Sequence, residues 1–336
     1  MSASGLKQLG DGAYAYVQSG GWGFSNAGLI TSDGASLLVD TLYDLRLTQA
    51  MLASMRRATS AAAQIDTVVN THANGDHCWG NQLVSGAKIV ASRATAEEMA
   101  ELSPRLMHTL VRAARTIGAA GVLARWPLSL LGRLGVARAS ALLEAAPFIV
   151  DAFGAFDFGE VSLSLPTETF ADTLMLRVGS KEVHLRQVGP AHTRGDTIVY
   201  VPSDRIVFSG DILFIGSHPI MWEGPIENWV RACDALLALD VDVVVPGHGP
   251  LTDKAGVLAV RNYWVALDAA ARAGARDGIS ATEIARSLLE KHQLAESERM
   301  VVNVDTALRQ IAQESSQPDP LAVLASMACF SGRYTR

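Results

Sequence analysis

The chain has 336 residues, of which 49% are apolar and 18% charged, and carries a net charge of −6 at pH 7. That length buries a substantial core in one large domain or in two, and the acidic balance excludes a nucleic-acid partner, because phosphate binding needs a basic footprint. No apolar run reaches bilayer length, so no stable membrane insertion is expected; Met1 to Lys7 lack the charged-then-apolar layout of a secretory signal, which makes the cytoplasm the expected location. The three cysteines, Cys78, Cys233 and Cys329, are odd in number and widely spaced, which argues against a disulfide framework.

In chain order, residues 13–18, 26–31 and 36–40 alternate with Gly and Asp-Gly punctuation and predict an antiparallel opening. Between the first two runs, Gly20-Gly21-Trp22-Gly23-Phe24-Ser25 sets two large aromatics among glycines. The segment reads either as a loop folding Trp22 and Phe24 over a substrate or as an ordinary turn with its aromatics tucked beneath it. Asp40 closes the third strand. Residues 44–58 have the composition of an amphipathic helix, and 65–70 is a short β-branched run that reads as a buried strand. That strand delivers Thr71-His72-Ala73-Asn74-Gly75-Asp76-His77-Cys78, in which two imidazoles, a carboxylate and a carboxamide crowd together. Packing alone does not call for such a density of metal-ligating side chains. For Cys78 a small buried neighbour is the favoured reading over a ligand. A strand at 88–92 and a helix start at Thr95, with Glu97 and Glu98 in its first turn, continue the strand-helix alternation.

Residues 103–150 break that rhythm. Leu106, Leu110, Ala113 and Ile117 recur at helical spacing, and Trp126-Pro127 predicts a new helix start, continued by Leu128, Leu131 and Leu134. Arg105, Arg112, Arg115, Arg125, Arg133 and Arg138 stand against Glu144 alone. Such a helical insertion is open to several readings: a lid over an apolar substrate, a homodimer surface, a basic element touching an anionic membrane, or a helical pair packed on the core with its arginines in solvent. Strands return at 161–165, 173–178, 183–188 and 197–201, and three more turns present polar groups: Gly189-Pro190-Ala191-His192-Thr193-Arg194-Gly195-Asp196, Ser209-Gly210-Asp211 and Pro246-Gly247-His248-Gly249. From Thr252 the pattern is helical. Val257, Val260, Trp264, Leu267 and Ala271 form one stripe, Ser280 with Glu283 makes a capping box, and 304–311 reads as a further helix, while the tail after 317–320 has no readable chemistry.

Taken together, the four motifs resemble, in order and spacing, those of the metallo-β-lactamase superfamily of metal-dependent hydrolases. The likeness covers about residues 10–98 and 155–252. It implies an α/β fold, a four-layer αβ/βα sandwich, with core segments at 1–98 and 155–252, a helical insertion at 99–154 and a C-terminal helical extension at 253–336. It also implies a site for one or two divalent metal ions, zinc foremost: His72, Asn74 and His192 facing the first, Asp76, His77 and His248 the second, and Asp211 bridging. Imidazoles hold zinc firmly, carboxylates spread charge between two cations, and a position is left for water. Asp40 and Asp196 sit where superfamily members hold acids that buttress the ligand loops, with plain loop capping as the alternative. Most of the superfamily has histidine at the position of Asn74. A neutral carboxamide oxygen is a poorer zinc ligand, so the first site should be weak, selective for another metal, or empty.

The resemblance implies hydrolysis of a small-molecule carbonyl substrate, an ester, lactone, thioester or amide, by metal-bound hydroxide, with Asp76 as the catalytic residue that orients the nucleophile. Asp211 stands where several lactamases use cysteine and no lysine follows nearby, both of which weigh against β-lactam turnover; Phe214 stands where related lactonases place tyrosine, so that residue is missing too. His218 is expected at the substrate pocket with Trp22 and Phe24, whereas His108, His184 and His292 match no motif. The arginine-bearing insertion points to a substrate with an apolar body and an anionic group. Two other readings stay open: a non-hydrolytic enzyme of the same fold, such as a cyclase, condensing enzyme or oxidoreductase, and a metal-poor binding protein.

Overall fold

A computed structural model describes residues 4–101, 103–133, 137–314 and 318–333, with the side chains of 120–137 outside the description. Leu134 lies outside the described residues, and Arg125, Trp126, Pro127, Leu128, Leu131 and Arg133 are described as backbone only. Strands β1 (Gly5–Gly10), β2 (Ala13–Val17), β3 (Ala27–Ser32) and β4 (Ala35–Val39) form an antiparallel meander. The chain then crosses through α1 (Leu45–Ala58), whose Asp44 cap accepts from the Leu47 amide, and β5 (Thr67–Val69) joins β4 in parallel. The single turn α2 (Gly75–Cys78) follows the strand end, and β6 (Lys88–Ser92) with α3 (Arg93–Glu101) comes next. Two long helices, α4 (Pro104–Arg133) and α5 (Ala137–Phe153), intervene before β7 (Glu168–Phe170) pairs with β6 and closes a seven-stranded sheet.

The second sheet has five strands among the described residues: β8 (Thr173–Val178), β9 (Lys181–Gln187), β10 (Thr197–Val201) and β11 (Ile206–Phe208) run antiparallel, and α6 (Ile226–Ala238) crosses to β12 (Val243–Val245), parallel to β11. Successive side chains point to opposite faces of a strand, and the near-continuous apolar runs of β4, β5, β10 and β11 therefore bury both faces of each sheet's centre. The inner faces meet in one core, Leu37, Val69 and Val90 against Leu185, Val199 and Phe208. Outside the first sheet, Met51 and Met55 of α1 cover Leu38 and Val68. Outside the second, Trp229 of α6 and Trp264 of α7 (Lys254–Asp277) pack in the cluster that holds Ile198, Val207 and Val244. Each such fully buried side chain contributes roughly 1.5–3 kcal/mol by leaving water. The result is helix, sheet, sheet, helix: the four-layer sandwich that the motifs imply. Three further helices follow, α8 (Ala281–Leu289) with its Ser280/Glu283 capping box formed, α9 (Arg299–Ile311) and α10 (Pro320–Ser331). No helix of the described residues is long and apolar enough to cross a membrane.

Several local expectations are corrected. No strand forms at 161–165; the Ser162 amide donates to Gln82 and the Ser164 carbonyl accepts from Asn81, so side chains satisfy the backbone that a neighbouring strand would otherwise pair. The short β7 takes the sheet edge instead. Nor does a new helix begin at Trp126-Pro127, because α4 runs unbroken to Arg133; one missing amide hydrogen does not outweigh the helical residues on either side. The opening meander also gains β1, and the tail forms α10, with Asp319 capping the Leu321 amide at 2.9 Å and Pro320 in the first turn.

Candidate metal centre

The motif turns gather at one edge of the sandwich, where β4, β5, β11 and β12 end and β10 begins. The Thr197 amide donates to the Thr71 carbonyl at 2.8 Å and ties the two sheets together there. Around Asp211, Nε2 of His72, His192 and His248 lie 3.7, 3.2 and 3.3 Å from Oδ2, and Nε2 of His77 lies 3.1 Å from Oδ1. Asp76 Oδ2 is 3.4 Å from His248 Nε2 and 3.9 Å from His77 Nε2. The ligand-type atoms form two groups, His72 with His192 and Asp211, and Asp76 with His77 and His248, each within 4.8 Å. Gly247 is required by this closeness, since a Cβ there would collide with Oδ1 of Asp211.

Asn74 caps α2 in backbone conformation, yet its side chain makes no capping bond. Its Nδ2 instead lies 3.2 Å from His192 Nε2, so the carboxamide stands beside the first group. A half-turn of the amide would present its oxygen in the same place.

All four imidazoles are held from behind. His77 Nδ1 donates to Asp40 Oδ2 at 2.9 Å, His192 Nδ1 to the Ile220 carbonyl at 2.7 Å and His248 Nδ1 to the Phe24 carbonyl at 3.1 Å. The Thr71 hydroxyl donates to Asp40 Oδ2 at 2.7 Å, which leaves its lone pair for His72 Nδ1 at 3.0 Å. With a hydrogen on each Nδ1, a lone pair on each Nε2 faces the centre. His72 Nε2, His77 Nε2 and Asp211 Oδ1 are buried with no hydrogen-bond partner, the close approach of the last two lacking the required alignment. Orphaned nitrogen and oxygen lone pairs converging at one point are the donor set of a divalent cation, so the residues present fit the metal ions that the fold implies.

The electrostatics divide the imidazoles into two that stay neutral and two that hold a proton which a bound cation would displace. Burial pushes His72 and His192 down toward the neutral, ligating form. Burial also opposes charge on His77 and His248, but the carboxylates prevail: Asp211, Asp76 and Asp40 hold His77 well above its usual range, and Asp211 with Asp76 raises His248 to about 9. Against its own burial, Asp76 is drawn down to about 2 by His77 and His248. Asp211, equally buried, is held well below the usual carboxylate range by the four imidazoles. The same negative field favours a cation.

Asp40 adopts the left-handed conformation with φ of 63°, uncommon for a residue with a side chain, and so aims its carboxylate under the motif at Thr71 and His77. Asp196 reaches no ligand; it accepts from the Ala191 and Thr193 amides and the Thr193 hydroxyl, capping the His192 turn, and burial raises it to about 8. Trp22 is half-buried, edge-on to Phe148 at 5.5 Å, and Phe24 packs on Phe156 at 4.9 Å. His218 departs from the expected pocket position: its ring is fully buried, with Nδ1 3.3 Å from the Tyr263 hydroxyl, because its segment packs beneath the C-terminal helices. Cys78 is buried with Sγ 3.3 Å from the Ala73 and Asn74 carbonyls, and burial keeps it protonated. Arg112 and Arg115 line, with Arg46, His108 and Phe156, a cleft of about 300 Å³ away from the ligand cluster.

Sequence reasoning missed the residues that fasten these turns together. Ser25 donates to the Asp76 carbonyl at 2.5 Å, and Asn26 Nδ2 to the Pro246 and Gly249 carbonyls at 2.9 Å each, so the Trp22 loop binds two ligand turns at once. A Ser-Asn pair after a glycine run looks like ordinary turn chemistry, and only the long-range partners distinguish it.

A family model described as the metallo-beta-lactamase superfamily matches residues 20–248, and the chain belongs to that superfamily. Among curated proteins, the alpha subunit of 2,4-dinitroanisole O-demethylase from Nocardioides sp. (strain JS1661) is 29% identical over 109 residues, 32% of this chain and 33% of that protein, so the chain spans about a third of this relative's length. Among solved structures, the inverting sec-alkylsulfatase Pisa1 from Pseudomonas sp. aligns with a TM-score of 0.63 at 15% identity, covering 94% of this chain and 51% of that one. A metallo-beta-lactamase from Pontibacter korlensis aligns at 0.53 with 18% identity, covering 76% and 98%. At these identities the structures speak for the fold alone.

Proposed function

We propose that this protein is a metal-dependent hydrolase acting on a carbonyl compound, an ester, lactone, thioester or amide with an apolar portion. The observation that carries the reading is the set of imidazoles, each fixed through Nδ1 and turned by Nε2 toward Asp211. His72, Asn74 and His192 would hold one divalent ion, Asp76, His77 and His248 another, with Asp211 shared and zinc the first candidate. When bound, such ions supply Lewis acidity, making water more acidic and stabilising negative charge on oxygen. The rest falls to the chain. Asp76 is the more exposed carboxylate of the cluster, 12% against 3% for Asp211, and its low pKa keeps it an acceptor through the neutral range. It therefore orients the attacking water by accepting its hydrogen. Trp22, Phe24 and the aromatics of 148–156 form an apolar cluster on the loop whose Ser25 bonds to the Asp76 carbonyl, and this cluster would receive the apolar portion of the substrate.

A second reading, cleavage of an ether carbon–oxygen bond, is favoured by the partial match to an O-demethylase. Metal analysis of the purified protein and turnover in ¹⁸O-labelled water test both. Ester or lactone hydrolysis places the label in the carboxylate product, and aryl ether cleavage places it in the phenol or the alcohol. Absence of bound metal after metal-supplemented expression, or turnover without solvent oxygen in any product, would overturn the hydrolase reading.

A further inference from the structure

Helix α9 lies beyond the family match, yet it grips the segment that orients one of the four imidazoles. Arg299, Asn303, Thr306 and Gln310 recur at helical spacing on one face, and their side chains bond to the backbone of His218, Pro219, Met221 and Glu223. Asn303 is fully buried. Its Oδ1 accepts from the Met221 amide at 2.8 Å, and its Nδ2 donates to the Pro219 carbonyl at 2.8 Å and the Tyr263 hydroxyl at 3.1 Å.

The Met221 N–H and the Ile220 C=O belong to one planar trans peptide, so fixing the N–H on Asn303 aims the C=O the opposite way. That carbonyl is the acceptor for His192 Nδ1 at 2.7 Å. On the other side the Trp222 and Gly224 amides donate to the His192 and Ala191 carbonyls at 3.1 and 2.7 Å, closing the turn against the same segment. His192 belongs to the group beside which the Asn74 carboxamide stands. With a carboxamide in place of one imidazole, that group depends on the orientation of the donors it keeps.

We infer that Asn303 is a positioning residue for His192: through the Ile220–Met221 peptide it sets the imidazole tautomer, and so makes occupancy of the first metal group depend on the C-terminal helix. The inference rests on reading His192 as a metal ligand. It is tested by titrating the wild type, Asn303→Leu and Tyr263→Phe with Co(II), following visible absorption and calorimetry, and by recording imidazole ¹⁵N shifts of the metal-free proteins. Asn303→Leu should weaken one Co(II) site about 10–100-fold and leave the other within about threefold, as expected for losing the orientation of one ligand. His192 should pass from a single Nδ1–H tautomer to a mixture. Tyr263→Phe removes a partner of Asn303 without touching the peptide and should leave both sites and the tautomer unchanged; Asn303→Ala substitutes if the leucine variant does not fold. Equal weakening of both sites, no weakening, or an unchanged His192 tautomer would overturn the role of Asn303. A wild type that binds no Co(II) would instead sink the metal reading, and the tautomer comparison would still decide the positioning.

Discussion

Asp40 and His77 meet at 2.9 Å across two strand ends, and the carboxylate oxygen between them also takes the Thr71 hydroxyl at 2.7 Å. One carboxylate thereby fixes the orientation of His77 directly and of His72 through Thr71. Replacing Asp40 by Asn separates charge from geometry, because asparagine tolerates the left-handed backbone found here. Metal affinity at the His77 group should fall about 10–100-fold while the circular dichroism spectrum is retained. An unchanged dissociation constant in a chelator competition would show that Asp40 only caps the loop.

Asn74 offers a sharper contrast. Its amide lies 3.2 Å from His192 Nε2, at the position where an imidazole would complete the first group. Asn74→His should raise metal occupancy there, moving stoichiometry from about one toward two per chain, since imidazole outranks a carboxamide for zinc. Elemental analysis after dialysis reads this directly, and no rise would mean that something other than ligand quality limits that group.

How much of this was legible beforehand follows from the range of the interactions. The strands and turns are legible from short β-branched runs and glycine punctuation, while the layered fold and the clustering of His72, Asp76, His77, His192, Asp211 and His248 follow from the resemblance of four motifs at strand ends to those of the superfamily. Asp40 could be placed as a strand end, and the resemblance sets it among the acids that buttress the ligand loops, but its φ of 63° and which imidazole it meets could not be read. The segment 161–165 alternates like a strand and is none, because its backbone is satisfied by Asn81 and Gln82, which no local pattern announces. Asn303 and Ser25 stayed hidden for the same reason, their partners lying far away along the chain.

The cleft lined by Arg46, Arg112 and Arg115 borders Phe156, which packs on Phe24, whose carbonyl accepts from His248. Three guanidinium groups there, against Asp157 in the same lining and Asp44 beside Arg46, favour substrates with a negative group, whose attraction to them is strongest at low salt. The double variant Arg112→Ala/Arg115→Ala should raise KM for an anionic ester about tenfold, with kcat and the neutral counterpart little changed. Equal losses on both substrates would mean that the arginines only support the fold, as the bond from Arg115 to the Gly154 carbonyl would by itself allow.

His218 makes a prediction about pH and stability. Burial, reinforced by His292 and Arg299 nearby, pushes its pKa down to about 4, while an unfolded histidine titrates near 6.5. Between those values the unfolded chain binds a proton that the folded chain refuses, so stability is complete above about pH 6.5 and falls as pH drops toward 4, by at most about 1.4 kcal/mol per pH unit. His218→Gln cannot titrate and should lose that component of the slope. Denaturant midpoints of wild type and variant, measured every half unit from pH 7.5 to 4.5, should converge as pH falls if the buried imidazole is responsible. Parallel curves would assign the acid sensitivity to other groups and leave His218 as packing against Tyr263 alone.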